Sequence, residues 1–298
     1  MHRRTFVRNA SLTGLAGMTR LPMLNSSPRY PLGYQLFSVR DAMDEDPEAT
    51  LRALRDMGYR HFEIYGFDAD NVAYYGYPAT TFRRLLDDLE LSVTSGHYTF
   101  HSLIEEGQDA IDRYADRCIE GASALGSPYI TWPYLDPEQR TAATFARLPD
   151  LLNRIGERVK EAGLGFAYHN HGFEFGEYEG QSGMETILRE TDPELVKLQL
   201  DMYWVMHAAA TTPRKLVENH PGRIMMWHIK DLHPVSRDYT ELGKGAINYL
   251  NVLPDPQASG LQHLYIEQGG NFSESSLRSA AVSAQYYQEQ LAALVEGA

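Results

Sequence analysis

The chain has 298 residues, 43% hydrophobic and 22% charged, with a formal net charge of −13 and a single cysteine. That length allows one large core, the balance is that of an ordinary globular protein, and the acidic surplus argues against general affinity for nucleic-acid phosphates, which needs clustered Lys and Arg. Cys118 alone excludes an intrachain disulfide and a thiolate metal cage; within the helical run DRYADRCIEGASALG it is expected to be a packed core thiol.

The first thirty residues differ from the rest. Arg3-Arg4-Thr5-Phe6-Val7-Arg8 leads into ASLTGLAGM and then a polar, proline-containing stretch up to Pro31. Paired arginines ahead of a modestly apolar segment resemble a twin-arginine export signal, which predicts a leader over 1–30 and an exported, periplasmic protein. Without a working signal it would be cytoplasmic. No other stretch approaches the ~20 apolar residues that span a bilayer, so no membrane span is expected.

From residue 32, strand-like and helix-like segments alternate. Strands are expected at Leu32–Ser38, His61–Tyr65, Leu91–Gly96, Tyr129–Trp132, Gly165–His169, Val196–Leu200, Ile224–Ile229 and His263–Glu267. Between them, runs such as PEATLRALRDMG and FARLPDLLNRIGERVKEAG carry apolar residues at three- and four-residue spacing, the signature of amphipathic helices. Gly58, Gly126 and Gly163 follow helical runs, where a C-terminal cap favours a residue tolerant of positive φ. Eight βα units predict an α/β fold, a single-domain (β/α)8 TIM barrel over 31–298. The longest gap, from His228 to His263, is expected to hold an active-site loop and a short helix.

Acidic and imidazole side chains stand just after several of these apolar runs. Asp201 ends LVKLQLD, His228 follows IMMW, and Glu267 follows HLYI. In a parallel barrel such strand ends gather at one mouth, where a divalent metal can bind. The fifth strand offers His169 and His171, with Glu174 just beyond in FAYHNHGFEF. Either His171 or Glu174 completes an Asp–His–Glu metal set. Glu174 is preferred, because two glutamates flanking a bound substrate supply an acid and a base. His169 and His171 are then expected to bind substrate hydroxyls or orient the ligands. Oxygen-rich ligands with one imidazole suit one Mn, Mg, Co or Zn ion. Glu63, His97, Trp132, Tyr134 and Trp204 are expected to line the same rim, with aromatic faces for sugar rings, and Lys230 to hold a substrate oxygen.

At these residues the chain resembles the xylose isomerase-like TIM barrel superfamily, in particular sugar phosphate isomerases/epimerases. The resemblance rests on GYQLFSVRDAM, YHNHGFEF, TDPELVKLQLDMYWV, GRIMMWHIKD, ELGKGAINY and YIEQ, and covers about residues 31–295. It implies one divalent ion held by Glu, Asp, His and Glu from the fifth to eighth strands. Asp201, His228 and Glu267 match that pattern; at the fifth strand this chain instead reads His169-Asn170-His171, with Glu174 later.

The expected activity is therefore isomerisation or epimerisation of a sugar through an enediolate, with Glu174 and Glu267 moving the proton. Loss of a β-oxygen from the same enediolate would make the protein a lyase or hydratase on 3-keto-sugars or 3-keto-glycosides. A non-catalytic sugar-binding barrel is the rival of another class. A phosphodiesterase of the endonuclease IV type shares the barrel but needs a basic groove. The expected partner is a small sugar or keto-sugar, with no nucleic acid; homo-oligomers are common among proteins of this resemblance.

Overall fold

The computed structural model describes residues 28–297. The expected export signal lies outside those residues. Eight parallel strands close into a barrel: β1 (Gly33–Gln35), β2 (His61–Ile64), β3 (Ser92–His97), β4 (Tyr129–Trp132), β5 (Gly165–His169), β6 (Lys197–Asp201), β7 (Ile224–Ile229) and β8 (His263–Ile266). β1 pairs with β2 on one side and β8 on the other, closing the ring. A helix follows each strand: α1 (Pro47–Asp56), α2 (Ala79–Asp88), α3 (Gln108–Leu125), α4 (Ala142–Glu161), α5 (Gly183–Glu190), α6 (Pro213–Asn219), α7 (Pro256–Ser259) and α8 (Ser276–Tyr286). Among the described residues no helix is long and apolar enough to cross a membrane.

The local chemistry explains these boundaries. Asp46 accepts from the Ala49 amide to cap α1, with Pro47 at its first position, where a missing N–H costs nothing. Thr141 caps α4, and Arg158 and Lys160 sit in its last turn, where cations complement the helix dipole. Gly126 ends α3 at φ +76°, a left-handed conformation that side chains resist. At Gly33 the reason is space, since a Cβ there would lie 2.3 Å from the Leu264 carbonyl oxygen of the neighbouring strand.

Strand alternation sorts the side chains into two layers. Phe166 and Tyr168, Leu198 and Leu200, Trp227 and Ile229, and Leu264 and Ile266 pack outward into the large core under the helices. Residues between them point inward. Low in the barrel, Tyr129, Ala167, Met226 and Tyr265 form a separate buried cluster. At the C-terminal rim the inward residues are polar: Gln35, Glu63, His169, Gln199, Asp201 and His228. The long segment after β7 forms a hairpin, Asp231–Leu232 with Tyr239–Thr240, and then short helices. Asp231 ties it down by accepting from the amides of Leu232, Gly243, Gly245 and Ile247. Cys118 is a fully buried free thiol in α3, as expected.

Candidate active site

The ends of β6 and β7 and the residue after β8 bring Asp201, His228 and Glu267 together. One ligand atom from each lies within 4.8 Å of the others. Asp201 Oδ1 accepts from the Trp204 amide at 3.1 Å and so caps the helix Met202–Ala208. Its Oδ2 approaches Lys230 Nζ to 2.7 Å without hydrogen-bond alignment and has no other hydrogen-bond partner among the described residues. Lys230 Nζ also lies 2.9 Å from Glu267 Oε2. His228 bridges two acids, with Nδ1 at 2.6 Å from Glu267 Oε2 and Nε2 at 2.6 Å from Glu63 Oε2.

Glu63 is the hub beneath. Its Oε2 accepts from Gln35 Nε2 at 2.6 Å and lies 3.0 Å from His97 Nε2, and its Oε1 accepts from Gln199 Nε2 at 2.5 Å. Because the Gln199 amide nitrogen faces a carboxylate, its Oε1 is left to accept from His97 Nε2 at 2.8 Å and His169 Nδ1 at 2.9 Å. That network assigns the His169 proton to Nδ1 and leaves a lone pair on Nε2, which lies 3.6 Å from Asp201 Oδ2. Burial keeps His169 and His171 well below the usual imidazole range, so both are neutral.

The charge balance is unequal. Glu63, Asp201 and Glu267 are buried carboxylates, and Lys230 is the only Lys or Arg among the residues they meet. Burial lowers His228, yet Glu63 and Glu267 outweigh it and push the imidazole up to about 9. Lys230 lies above the ordinary ammonium range, because Asp201 and Glu267 overcome its burial. Asp201 and Glu267 share that one ammonium, so they divide: burial holds Asp201 high, while Lys230 and His228 overcome burial and hold Glu267 low. An acid-rich buried cluster, in which one ammonium is shared by Asp201 and Glu267 and a lone-pair nitrogen lies beside Asp201 Oδ2, suits a divalent cation.

Above this cluster lies a cavity of about 460 Å³, lined by Phe37, Tyr65, His97, Tyr134, His169, His171, Lys230, Tyr239 and Glu267. Aromatic walls with a few convergent polar groups are the makeup of a small-molecule site. The sequence pattern of the xylose isomerase-like TIM barrel matches residues 51–267. The chain belongs to that family.

Solved structures place this family member among similar folds. A sugar phosphate isomerase/epimerase from Parabacteroides distasonis is 24% identical, with 90% of this chain and 96% of that one covered at a TM-score of 0.78. The IOLI protein with a bound zinc atom is 14% identical over 87% of this chain and 97% of its own, at 0.69. A probable 3-DHS dehydratase, AsbF, from Bacillus anthracis is 14% identical over 87% and 99%, at 0.67. No curated protein matches the sequence.

Several expected site residues lie elsewhere in this xylose isomerase-like barrel. Glu174, the preferred fourth ligand, stands behind the wall: its oxygens accept from Tyr168 OH at 2.9 Å and the His171 amide at 2.8 Å. Tyr168 points outward, so Glu174 follows it away from the mouth, and it belongs to neither group of convergent ligand atoms. Trp132 shares the outward face of β4 with Ile130 and stacks on Phe100 at 5.5 Å, where it supports the core and not the pocket. Glu63 is fully buried under the pocket and does not line it. Trp204 lines a neighbouring cavity. His97, His169, His171 and Lys230 line the pocket. Gln35, Gln199, Phe37, Tyr65 and Tyr239 were not foreseen. The two glutamines carried a readable signal, since each is a polar residue at an inward position of an apolar strand.

Proposed function

We propose that the chain is a divalent-metal-dependent enzyme that isomerises a sugar through an enediolate. The observation that carries this reading is the meeting of Asp201, His228 and Glu267 directly under a sugar-sized aromatic pocket. His169 Nε2 would complete the ligand set in place of Glu174, its ring fixed by Gln199. An ion of the Mn, Mg, Co or Zn kind held there would supply the Lewis acidity that weakens the C–H beside a sugar carbonyl.

The side chains supply the rest. Glu267 Oε2 is engaged by His228 and Lys230, while Oε1 has no hydrogen bond from the described residues. Glu267 is held ionised and lines the pocket, so Oε1 is the base that takes the proton. Lys230 offers its ammonium to the oxygen on which negative charge grows. The neutral imidazoles of His169 and His171 bound the ring on one side, and Phe37, Tyr65 and Tyr134 bound it elsewhere. With Glu174 behind the wall, Glu267 is the sole carboxylate lining the pocket. One carboxylate returns the proton to the neighbouring carbon on the same face, which favours isomerisation over two-glutamate epimerisation. The same arrangement supports loss of a β-oxygen, with Glu267 passing the abstracted proton to the leaving oxygen and Lys230 steadying its charge, so a lyase on 3-keto-sugars is the second reading.

The test is a screen of the metal-loaded protein in D₂O against free sugars and 3-keto-sugars, read by NMR. Deuterium should enter the carbon beside the carbonyl of one substrate class. Uptake with none of them contradicts the proposal.

A further inference from the structure

We infer that the natural substrate has two sugar rings: a glycoside whose second ring lies in a separate aromatic cavity beside the reacting one. This rests on the sugar-processing reading above and extends it to the class of substrate. A second cavity, of about 570 Å³, adjoins the catalytic pocket, and Tyr134, His171 and Tyr239 line both. The two cavities therefore lie side by side, with these three aromatic side chains between Glu267 and Trp204.

The outer cavity is built from flat faces. His171 lies nearly parallel to Phe173, with ring centroids 5.7 Å apart at 14°, and 5.3 Å from Trp204. Tyr239 closes the far side, edge-on to Trp204 at 6.2 Å. Such plates bind the C–H faces of a pyranose ring.

The cavity is aromatic more than basic. Arg140 is its only Lys or Arg, and its guanidinium donates to Tyr134 OH and the Leu135 carbonyl while lying 4.2 Å from the Phe173 ring centroid. It braces the plates through Nε and Nη2, and its Nη1 keeps N–H donors for a ring hydroxyl. The mainly aromatic lining favours a neutral ring carrying hydroxyls as the second group, and glucose 6-phosphate is the control for a phosphate.

Calorimetric titration of the full chain, in magnesium, with glucose, glucose 6-phosphate, cellobiose and maltose tests this. One disaccharide should bind about tenfold or more tighter than either single-ring sugar, the scale of one added aromatic contact. Trp204→Ala, and separately Phe173→Leu, should bring that ratio to within about twofold. Single-ring sugars binding as tightly as both disaccharides, or a preference that survives both substitutions, overturns the two-ring inference while leaving the sugar-enzyme reading standing. Binding of none of the four also overturns the two-ring inference, while the deuterium screen decides the sugar-enzyme reading separately.

Discussion

On β7, Met226 and His228 point into the same barrel two residues apart, yet their surroundings differ in kind. Met226 sits on a floor with Tyr129, Ala167 and Tyr265, where Thr94 Oγ1 and Tyr265 OH pair at 2.6 Å. Nothing there carries a charge. His228 sits at the mouth between Glu63 and Glu267, with Lys230 and Asp201 alongside. The floor satisfies itself by packing and neutral hydrogen bonds. The mouth holds more acid than base and leaves one Asp201 oxygen without a hydrogen bond. A fold that wanted only stability could fill both layers with apolar side chains, since buried ion pairs seldom outperform them. The unequal mouth is where the proposed chemistry belongs.

That contrast can be broken most sharply at Glu267. Glu267→Gln keeps the shape but removes the base, and should lower substrate deuterium exchange by about 10²–10⁴-fold while some metal is retained. Exchange at the wild-type rate would remove Glu267 from its role. On the floor, Met226→Ala should cost about 2–5 kcal/mol in urea unfolding, because it opens a cavity in a packed layer. It should leave metal stoichiometry at the wild-type value; loss of metal would show that the two layers are not separable.

A third effect is confined to stability and its pH dependence, and it concerns Glu174. Burial pushes Glu174 up to about 8 behind the barrel wall, whereas the unfolded chain titrates it near the ordinary value of about 4.3. Between those values the folded state keeps a proton that the unfolded state releases. Its contribution is complete below that window and is lost as pH rises through it, at up to ~1.4 kcal/mol per pH unit. Glu174→Gln should flatten the fall in stability measured by denaturant titration from pH 5 to pH 8. An unchanged profile would refute the assignment of that proton.

Much of this was legible in the residues themselves. β4, β5 and β7 run over Tyr129–Trp132, Gly165–His169 and Ile224–Ile229 as expected, because their apolar runs are bounded by polar or turn residues. Asp201, His228 and Glu267 could be placed because each ends such a run. Trp132 was misplaced although the rule for it was available, since it keeps step with the core residue Ile130 and must face outward. Glu174 was harder: it lies in the short turn Phe173–Phe175, where strand alternation no longer says which way a side chain points. Gln35 and Gln199 were passed over because a glutamine neither titrates nor ligates a metal strongly, although it orients the groups that do. Tyr239 reaches the pocket from the long hairpin after β7, a tertiary arrangement that no local pattern announces.

The most direct measurement is the metal content of the full chain and of Asp201→Asn after equilibration with a divalent cation and removal of the excess, by elemental analysis. Asparagine can still cap the helix Met202–Ala208, so the fold should persist while the charge is gone. The account predicts one equivalent in the wild type and little in the variant. Equal content in both, or none in either, would contradict it.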